Sequence, residues 1–556
     1  MDKNKGHKKR FIDFTVLSLA IAVFLTLSYS FELNASKTEL APGRKMAQQA
    51  TKGKKLWITA DHSKHEILKQ DFKSGPEVTQ ACLSCHSEAA SQFHKTIHWT
   101  WMDPSTEKDV KLGKGGLSIN NFCINIQSNE ARCTSCHAGY GWKGKDFDFT
   151  DQTKVDCLVC HEQTGTYKKF PVGAGNPAIK ETIFKGNKKT YYPPDWNKVA
   201  QSVGRPTRKN CGTCHFFGGG GDGVKHGDLD SSLMKPNKAL DVHMGTDGQN
   251  FNCTRCHSTT LHHIAGRVYT TPASKHRKSL IEDDLASKIT CESCHSSTPH
   301  KANEKANDHT DKVACQSCHI PLFARVNPTK MWWDWSKAGE KKDGKPYAKK
   351  DEFGKPMYDT KKGDMRWEKN VKPAYAWYNG SIKHLTVKDV IDPSQTVKLN
   401  EPVGSPSDEN SRIFPFKVHH GKQPYDKVNK TMVIPHLFPK GKDDKEAYWK
   451  KYDWGEAIVY GMKYADLSYS GEYDFVETSY VFPITHMVAP KNHVVNCNEC
   501  HTREDGRLAN LAGFYMPGRD RFKILDIVGW AVILISFGGV VLHGLGRFLS
   551  NGRRED

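Results

Sequence analysis

The stretch Asn120–Trp142 reads NNFCINIQSNEARCTSCHAGYGW and contains two kinds of cysteine. Cys133, Cys136 and His137 form a C-x-x-C-H array, whereas Cys123 lies ten residues upstream of Cys133, outside any such array. Sixteen of the 17 cysteines belong to eight arrays of this kind, and Cys123 is the remaining one. The eight arrays are Cys82-Cys85-His86, Cys133-Cys136-His137, Cys157-Cys160-His161, Cys211-Cys214-His215, Cys253-Cys256-His257, Cys291-Cys294-His295, Cys315-Cys318-His319 and Cys497-Cys500-His501.

The C-x-x-C-H array is the attachment signature of c-type haem. Its two thiols add to the haem vinyl groups, and the histidine that follows supplies an imidazole to the iron. Disulfides, zinc sites and thioredoxin-like redox pairs are the alternatives for a single array, but none of them requires a histidine at this offset. The eight arrays therefore predict eight covalently bound haems c, each with its iron.

The charge of the chain must be considered together with these cofactors. The formal net charge is +19 and the pI is about 9.1, which taken alone favours nucleic acid or an anionic membrane as partner. Each predicted haem adds two propionates, so much of the lysine and arginine excess is counter-charge. Nothing in the chain resembles a nucleic-acid-binding motif, and nucleic acid is excluded as a partner. A residual positive field would draw an anionic substrate into a cleft.

Both ends of the chain carry apolar runs. The basic stretch MDKNKGHKKR precedes FIDFTVLSLAIAVFLTLSYSF, a pattern typical of a signal peptide or signal anchor. An uncleaved anchor is favoured over cleavage near Ala35. The second run, from Ile524, is long enough to span a bilayer, and Arg547, Arg553 and Arg554 after it suit a cytoplasmic end. His543 within it is either a functional intramembrane residue or, as favoured here, a neutral packing residue.

These runs predict three regions. Residues 1–34 form a signal anchor or signal peptide, residues 35–515 form a periplasmic octahaem cytochrome c domain, and residues 516–556 form a transmembrane helix with a cytoplasmic tail. The predicted location is the inner membrane, with the haem domain facing the periplasm.

The predicted fold class is mainly α with extensive irregular loops, a haem-packed core and one or two transmembrane helices. Seven arrays lie between Cys82 and His319, and the eighth follows only after the 177 residues 320–496. Strand signals in this gap are scarce. A helix is predicted through EAYWKKYDWGEAIVYGMKYADL, with Asp443 or Asp444 as its cap. The segments GKDFDFTDQTK and AGEKKDGKPYAKKDEFGKP are predicted as polar loops.

Iron ligands opposite the array histidines must come from elsewhere in the chain. Seven haems with two histidine ligands each need seven further histidines, and the chain has 27 in all. The favoured candidates are His98, His243, His263, His300, His309, His384, His420 and His486, while His262, His419, His436 and His493 remain alternatives.

Beyond the arrays, six strings carry a family resemblance. The chain resembles the octahaem tetrathionate reductases, relatives of hydroxylamine oxidoreductase and multihaem nitrite reductase, over roughly residues 80–505. The strings are ACLSCHSEAASQFHKTIHWTW, INNFCINIQSNEARCTSCHAGYGW, VDCLVCHEQTGTYKK, CGTCHFFGGGGDGVKHGDLD, FNCTRCHSTTLHHIAGR and ACQSCHIPLFARVNPTKMWWDWS.

The resemblance implies that the second haem is catalytic, with a lysine ligand and a cysteine in its pocket. Lys225 matches the lysine and Cys123 matches the cysteine. Lys225 as a solvated loop residue and Cys123 as a packing residue are the alternatives, and His226 competes with Lys225 as a ligand. Whether Lys225 joins or replaces the array histidine is left open. The pocket acid would be Asp146 or Asp148.

The resemblance also implies a reductase. Electrons from a membrane cytochrome b or another quinol-oxidising partner would reach a small oxyanion substrate, namely tetrathionate, nitrite or hydroxylamine. The first alternative is an electron conduit without catalysis, and the second is hydroxylamine oxidation, which ranks third because no tyrosine can be assigned to a haem cross-link. Self-association into a homo-oligomer is left open.

Overall fold

The computed structural model of the chain describes residues 60–103, 110–266, 289–441 and 443–551. The predicted N-terminal anchor lies outside these residues. The described residues divide into two compact units: Thr290–Thr310 contributes to the smaller, and all others belong to the larger. The sixth array falls in the smaller unit, and the other seven fall in the larger.

Most helices of the larger unit are short, and many of them hold an array. Within the described residues the α-helices are α1 (Gly75–Leu83), α2 (Ala89–Phe93), α3 (Ile97–Thr100), α4 (Glu130–Cys133), α5 (Leu158–His161), α6 (Trp196–Gln201), α7 (Arg208–His215), α8 (Glu304–Asn307), α9 (Cys315–His319), α10 (Tyr448–Lys451), α11 (Trp454–Tyr464), α12 (Cys497–Cys500) and α13 (Lys523–Asn551). Single 3-10 turns cover His62–Lys64, Glu66–Leu68, Thr134–Cys136, Gln152–Lys154, Ser231–Met234, Cys253–Arg255, Cys291–Ser293, Trp335–Lys337 and Lys491–His493.

A helical turn suits the array because residues i, i+3 and i+4 lie on one face of a helix. Both cysteines and the histidine can then meet the same haem edge. The turn is closed by a bond from the histidine N–H to the first cysteine carbonyl, as in His86 to Cys82 (2.9 Å) and His257 to Cys253 (2.9 Å).

The gap between the seventh and eighth arrays folds largely as β-structure. The strands among the described residues are β1 (Thr182–Phe184), β2 (Lys189–Tyr191), β3 (Thr259–Thr260), β4 (His263–Ile264), β5 (Thr329–Asp334), β6 (Lys341–Lys342), β7 (Lys345–Pro346), β8 (Ala348–Lys350), β9 (Pro356–Asp359), β10 (Gly363–Glu368), β11 (Ala374–Tyr378), β12 (Ser381–His384), β13 (Val397–Lys398), β14 (Asn400–Val403), β15 (Arg412–Asp426), β16 (Thr431–Met432) and β17 (Tyr473–Pro483).

Nine of these strands form one sheet in the order β13-β17-β15-β5-β10-β9-β8, with β11 and β16 also paired to β15. The long strand β15 runs antiparallel to β17, from the pair Phe416–Pro483 to the pair Asp426–Tyr473. It runs parallel to β5, where His420 pairs with Trp332. The remaining strands form two-stranded pairs: β1-β2, β3-β4, β6-β7 and β12-β14.

The expectation of a mainly α fold is not confirmed, because the sheet gives the chain a mixed architecture. Strand β10 shows the reason in its sequence, GDMRWE, whose residues alternate strictly between buried and exposed. A period of two is the pattern of a strand with one face in the core.

The helix predicted in the gap exists but is broken and capped differently. Tyr452 adopts a left-handed conformation with φ of 65° and separates α10 from α11. The side chain of Asp453 caps α11 by accepting a hydrogen bond from the Glu456 N–H. Asp444 instead accepts a hydrogen bond from His436. The expected cap at Asp443 or Asp444 is therefore wrong.

The C-terminal run forms helix α13, as expected from its composition. Residues Lys523–Ser550 have a mean hydropathy of 2.3 in the most apolar window, and none of that window is buried in the protein. By length and composition this helix could cross a membrane.

Candidate haem ligands and catalytic pocket

The cysteines and histidines of the arrays fit covalent haem. All 17 cysteines lie among the described residues, and none forms a disulfide. The Nδ1–H groups of His161, His257 and His501 each donate to a main-chain carbonyl, at 2.9, 2.9 and 2.8 Å. Nε2 is then the unprotonated nitrogen, which is the form that binds a metal, and such a second hydrogen bond is typical of metal-bound histidine.

Three pairs of histidines have the spacing that one iron between them requires. Two imidazoles on opposite sides of an iron place their ring centres about 6.4 Å apart, given iron–nitrogen bonds of about 2.0 Å and about 1.2 Å from nitrogen to ring centre. The observed ring-centre distances are 6.4 Å for His62 and His86, 6.0 Å for His98 and His215, and 6.3 Å for His257 and His486.

His98 and His486 were among the predicted ligands, and the structure brings each to an array histidine. Sequence reasoning missed His62, because it searched for ligands after the arrays whereas His62 lies 20 residues before the first one. The segment DHSKH, rich in histidine, was the available signal. Burial lowers the pKa of His262, the neighbouring His161 adds to this, and Gln92 bonds its Nδ1 at 3.0 Å. His262 is therefore better placed than the favoured His263, which lies in β4, to be the second iron ligand at the third array.

The other predicted ligands lie in varied settings. The rings of His243 and His384 lie 6.2 Å from Phe251 and 6.4 Å from Tyr480, respectively. In the smaller unit, Asn307 bonds His300 and the Lys305 carbonyl bonds His309. His420 and His493 are exposed, while His419 and His436 are fully buried and hydrogen-bonded to Asn121 and Asp444. The array histidines His295 and His319 lie in their expected turns.

Sulfur atoms of different arrays lie next to each other, which shows how the haem edges would adjoin. Thiols of the first and third arrays contact each other, as do those of the second and fourth and those of the fourth and fifth; the pairs are Cys82–Cys157, Cys136–Cys214 and Cys211–Cys253. Thiols of the seventh and eighth arrays, Cys318 and Cys500, are also close. These thiols stand in for the thioether sulfurs of attached haem. The fourth array thus links the second to the fifth.

The histidine of the second array differs in two ways from the array histidines described above. The His137 N–H donates to the Thr134 carbonyl (2.8 Å), not to the first cysteine of its array. Its Nε2–H donates to the Trp99 carbonyl at 2.7 Å, which leaves Nδ1 unprotonated and, within the described residues, without a hydrogen-bond partner.

Aromatic rings enclose this imidazole. The rings of Trp142, Trp99, Trp101, Phe147 and Phe149 lie between 4.9 and 6.3 Å from it. Burial lowers the pKa of His137 to about 3, so the ring is neutral. The nitrogen that other arrays offer to iron is occupied here by a carbonyl.

The structure brings the Cys123 loop and the Lys225 loop together on strand β17. The ring of Phe122 packs against the main chain of Gly219, where an added Cβ would lie 3.2 Å from it. The same ring lies 5.8 Å from Phe482, and the Lys225 ammonium lies 5.5 Å from the centre of Phe482. Burial, assisted by the charge of Lys114, lowers the pKa of Lys225 to about 7. A neutral amine, the form that binds iron, is therefore accessible near neutral pH.

Cys123 occupies a strained turn of the main chain. Cys123 and Ile124 have φ of 61° and 66°, a region that residues with side chains rarely adopt. The turn is closed by the Asn120 side chain, which accepts from the Phe122 N–H at 2.7 Å. Burial raises the pKa of the Cys133 thiol to about 12, and Cys123 adds to that rise. Cys123 is therefore next to the attachment point of the second haem.

Two buried lysines of the sheet extend this region. The Lys417 ammonium donates to the carbonyls of Val224 and Lys225 (3.0 Å each) and to Thr329 Oγ1 (2.6 Å). The Lys330 ammonium lies 3.4 Å from the ring centre of Trp333. Burial lowers the pKa of both lysines well below the ordinary value, and Cys123 opposes this at Lys330. Sequence reasoning missed both residues.

The two predicted pocket acids lie at the surface. Asp146 is exposed, and Asp148 accepts hydrogen bonds from Thr150 at 2.8 and 2.7 Å. Among the described residues, neither carboxylate has a contact with Cys123 or Lys225. Asp228, three residues after Lys225 in the sequence, is a buried carboxylate. Burial would raise its pKa, but the hydrogen bond from His486 and its charge lower that pKa to about 2.

Comparison with known proteins identifies the family of the chain. The chain is 46% identical to an octahaem cytochrome c from Shewanella oneidensis of known crystal structure, and the match covers 80% of this chain and 94% of that chain, with a TM-score of 0.69. The chain belongs to the octahaem c-type cytochrome family. The family model named Cytochrome c bacterial also matches residues 330–504 of this octahaem cytochrome. An uncharacterized protein from Archaeoglobus fulgidus is 23% identical over 241 residues, which is 36% of this chain and 79% of that protein.

Membership of the family accounts for the arrays. The octahaem cytochrome carries covalently bound haem c with its iron, has the multihaem cytochrome c fold, and acts in electron transfer or as a redox enzyme.

Proposed function

We propose that the chain is a membrane-anchored periplasmic reductase with eight haems, of which the second is catalytic. Electrons from a quinol-linked donor would pass from array to array and reduce a small sulfur or nitrogen oxyanion at the Cys123–Lys225 pocket. Tetrathionate, nitrite and hydroxylamine are the candidate substrates. Helix α13 would hold the protein in the inner membrane near its donor.

The observation that carries the proposal is the hydrogen bond between His137 Nε2–H and the Trp99 carbonyl. With this nitrogen occupied, the array histidine is not available to the iron, and the Lys225 amine is the ligand that the neighbouring loop offers. Lys225 would hold the iron of the second haem, and that haem would supply both electrons and an electron-accepting metal.

The charges of the pocket suit an anion. The ammonium groups of Lys330 and Lys417 have no carboxylate among their hydrogen-bond partners in the described part of the chain. A negative substrate would reduce their mutual repulsion, which contributes to the lowered pKa of Lys330. Cys123, between the second array and Lys330, would donate its S–H to the substrate or exchange with an S–S bond.

A ligand titration tests the proposal against the electron-conduit alternative. Nitrite, hydroxylamine or tetrathionate is added to the purified oxidised protein, and visible absorption is recorded. The reductase should show a spectral change from a single haem, together with turnover once electrons are supplied. A conduit, which the thiol contacts between arrays also suit, would show eight haems that bind none of the three.

A further inference from the structure

A cationic cleft lies at the segment that follows the second array. It has a volume of about 400 Å³ and is open to solvent. Its lining includes Asp146 and Tyr464 together with four lysines, namely Lys143, Lys145, Lys154 and Lys440. Helix α11 ends here with Tyr464, and the loop after the second array forms the facing wall.

Tyr464 connects this cleft to a buried carboxyl group. Its hydroxyl oxygen accepts a hydrogen bond from the Lys145 N–H at 3.1 Å. Because that oxygen is the acceptor, the hydroxyl hydrogen remains to be donated, and the Glu130 carboxyl is its partner. The hydroxyl therefore stands between water in the cleft and the carboxyl.

Glu130 reaches from Tyr464 toward the second array. Its residue is only 4% exposed, and its Oε2 is buried without a hydrogen-bond partner among the described residues. Glu130 begins α4, whose last residue is Cys133. Glu130 also contributes to the raised pKa of the Cys133 thiol, as Cys123 does from the substrate side. The carboxyl thus interacts with Tyr464, and its residue lies one helical turn before the haem attachment at Cys133.

The ionisable groups around Glu130 come from two segments. Burial raises the pKa of the Glu130 carboxyl, whereas Tyr464 from α11 and Lys440 from the preceding loop oppose the rise. His436, on that same loop, donates to the Ser128 carbonyl next to α4 and is paired with Asp444. Burial favours the protonated carboxyl, whereas a nearby lysine favours the ionised one. Both protonation states can therefore be present, which a proton carrier requires.

We propose that Tyr464 and Glu130 form a proton inlet from the cationic cleft to the substrate at the second haem. The proposal rests on the proposed function, in which a buried pocket reduces oxyanions. Nitrite takes six electrons and eight protons to give ammonium and two waters. Hydroxylamine takes two electrons and three protons to give ammonium and one water. The electrons come from the quinol-linked donor and the protons from water in the cleft.

Tetrathionate provides an internal comparison, because its reduction consumes no protons. Two electrons break its central S–S bond and release two thiosulfate dianions. The inlet is therefore needed for the nitrogen substrates and is not required for tetrathionate. A residue with a merely structural role would affect all three reactions alike.

The test compares Glu130→Gln and Tyr464→Phe with wild type, and Tyr460→Phe is the matched control one turn earlier on α11. We expect Glu130→Gln to slow nitrite and hydroxylamine reduction about a hundredfold, the size of a lost proton-transfer residue. Tetrathionate reduction should stay within about twofold. Tyr464→Phe should have the same selectivity, and it serves as the decisive variant if Glu130→Gln does not fold.

A second readout does not depend on turnover. The infrared difference spectrum between reduced and oxidised protein should contain a carboxyl C=O band that is lost in Glu130→Gln and shifted in Tyr464→Phe. Equal slowing of all three substrates, or no slowing of any, would overturn the inlet. If wild type reduces none of them, the proposed function fails by itself, and absence of the infrared band then overturns the inlet as well.

Discussion

The second and fifth arrays share the pattern C-x-x-C-H but present their histidines differently. His257 donates through Nδ1 to the Ala265 carbonyl and lies 6.3 Å from His486, with an approximately parallel ring. His137 donates through Nε2 to the Trp99 carbonyl inside an aromatic cage. The array thus determines where haem is attached, whereas remote carbonyls determine which nitrogen remains for the iron.

The two arrays also differ in their surrounding charge. Near the fifth array, the Asp228 carboxylate bonds His486 Nδ1 at 3.1 Å. Around the Cys123 and Lys225 loops lie the buried lysines Lys330 and Lys417. An electron-transfer site with two histidines needs a stable ligand set, and a carboxylate provides it. A site for an anionic substrate needs positive charge, and the lysines provide that.

Replacing Lys225 should have the largest effect on this comparison. Lys225→Met removes the amine and is expected to lower reduction of all three substrates about a thousandfold, because the iron loses its ligand. Steady-state rates with a reduced dye measure this. Lys350→Met, at an exposed position of β8, is the control and should stay near wild type. Full activity in Lys225→Met would exclude the lysine from the site.

Replacing Lys417 should lower the stability of the protein and not only its activity. Lys417→Met leaves two carbonyls of the Lys225 loop and Thr329 without their buried donor, and we expect the free energy of unfolding to fall by about 3 kcal/mol. Denaturant unfolding followed by visible absorption measures it. The half-buried Lys422→Met, on the same strand, should change stability by less than about 1 kcal/mol. Equal stability of the two variants would contradict the role given to Lys417.

At the fifth array, Asp228→Asn tests the carboxylate partner. Loss of its negative charge disfavours the oxidised iron, so the midpoint potential of one haem should rise by about 60 mV, a tenfold change in a one-electron equilibrium. A spectroelectrochemical titration measures the shift. Asp148→Asn is the matched surface control. A fall in potential would show that Asp228 does not act on this haem.

The smallest effect is expected at Cys123. Cys123→Ala removes one neutral hydrogen-bond donor, so the dissociation constant for nitrite should increase about fivefold, equivalent to about 1 kcal/mol. Cys123→Ser keeps a donor and should bind nitrite nearly as wild type does. Binding is followed by the visible spectral change. Identical affinity in all three proteins would reduce Cys123 to a packing residue.

Local patterns in the sequence were sufficient for part of this account. The arrays, helix α13 and the loop context of Cys123 and Lys225 are local features, and each could be predicted from a short segment. The Cys123 and Lys225 loops meet at strands β15 and β17, which were not predicted from the sequence. Strand β15 was not predicted because two polar residues, Lys417 and His419, interrupt the apolar pattern of its buried face. Both are fully buried.

Other features depend on contacts that are distant in sequence. The orientation of His137 depends on the Trp99 carbonyl, 38 residues away, and no property of the array itself reports it. The role of Asp228 depends on His486, 258 residues away. The assignment of pocket acids to Asp146 and Asp148 relied on proximity in sequence to the second array, but both side chains face solvent.

The most direct test of the central claim is low-temperature electron paramagnetic resonance of the oxidised protein, comparing wild type with Lys225→Met and His137→Gln. Glutamine keeps a donor for the Trp99 carbonyl. We predict that Lys225→Met changes the signal of one haem while His137→Gln leaves all signals in place. If His137→Gln changes one signal and Lys225→Met changes none, His137 is the iron ligand and the second array does not differ from the fifth.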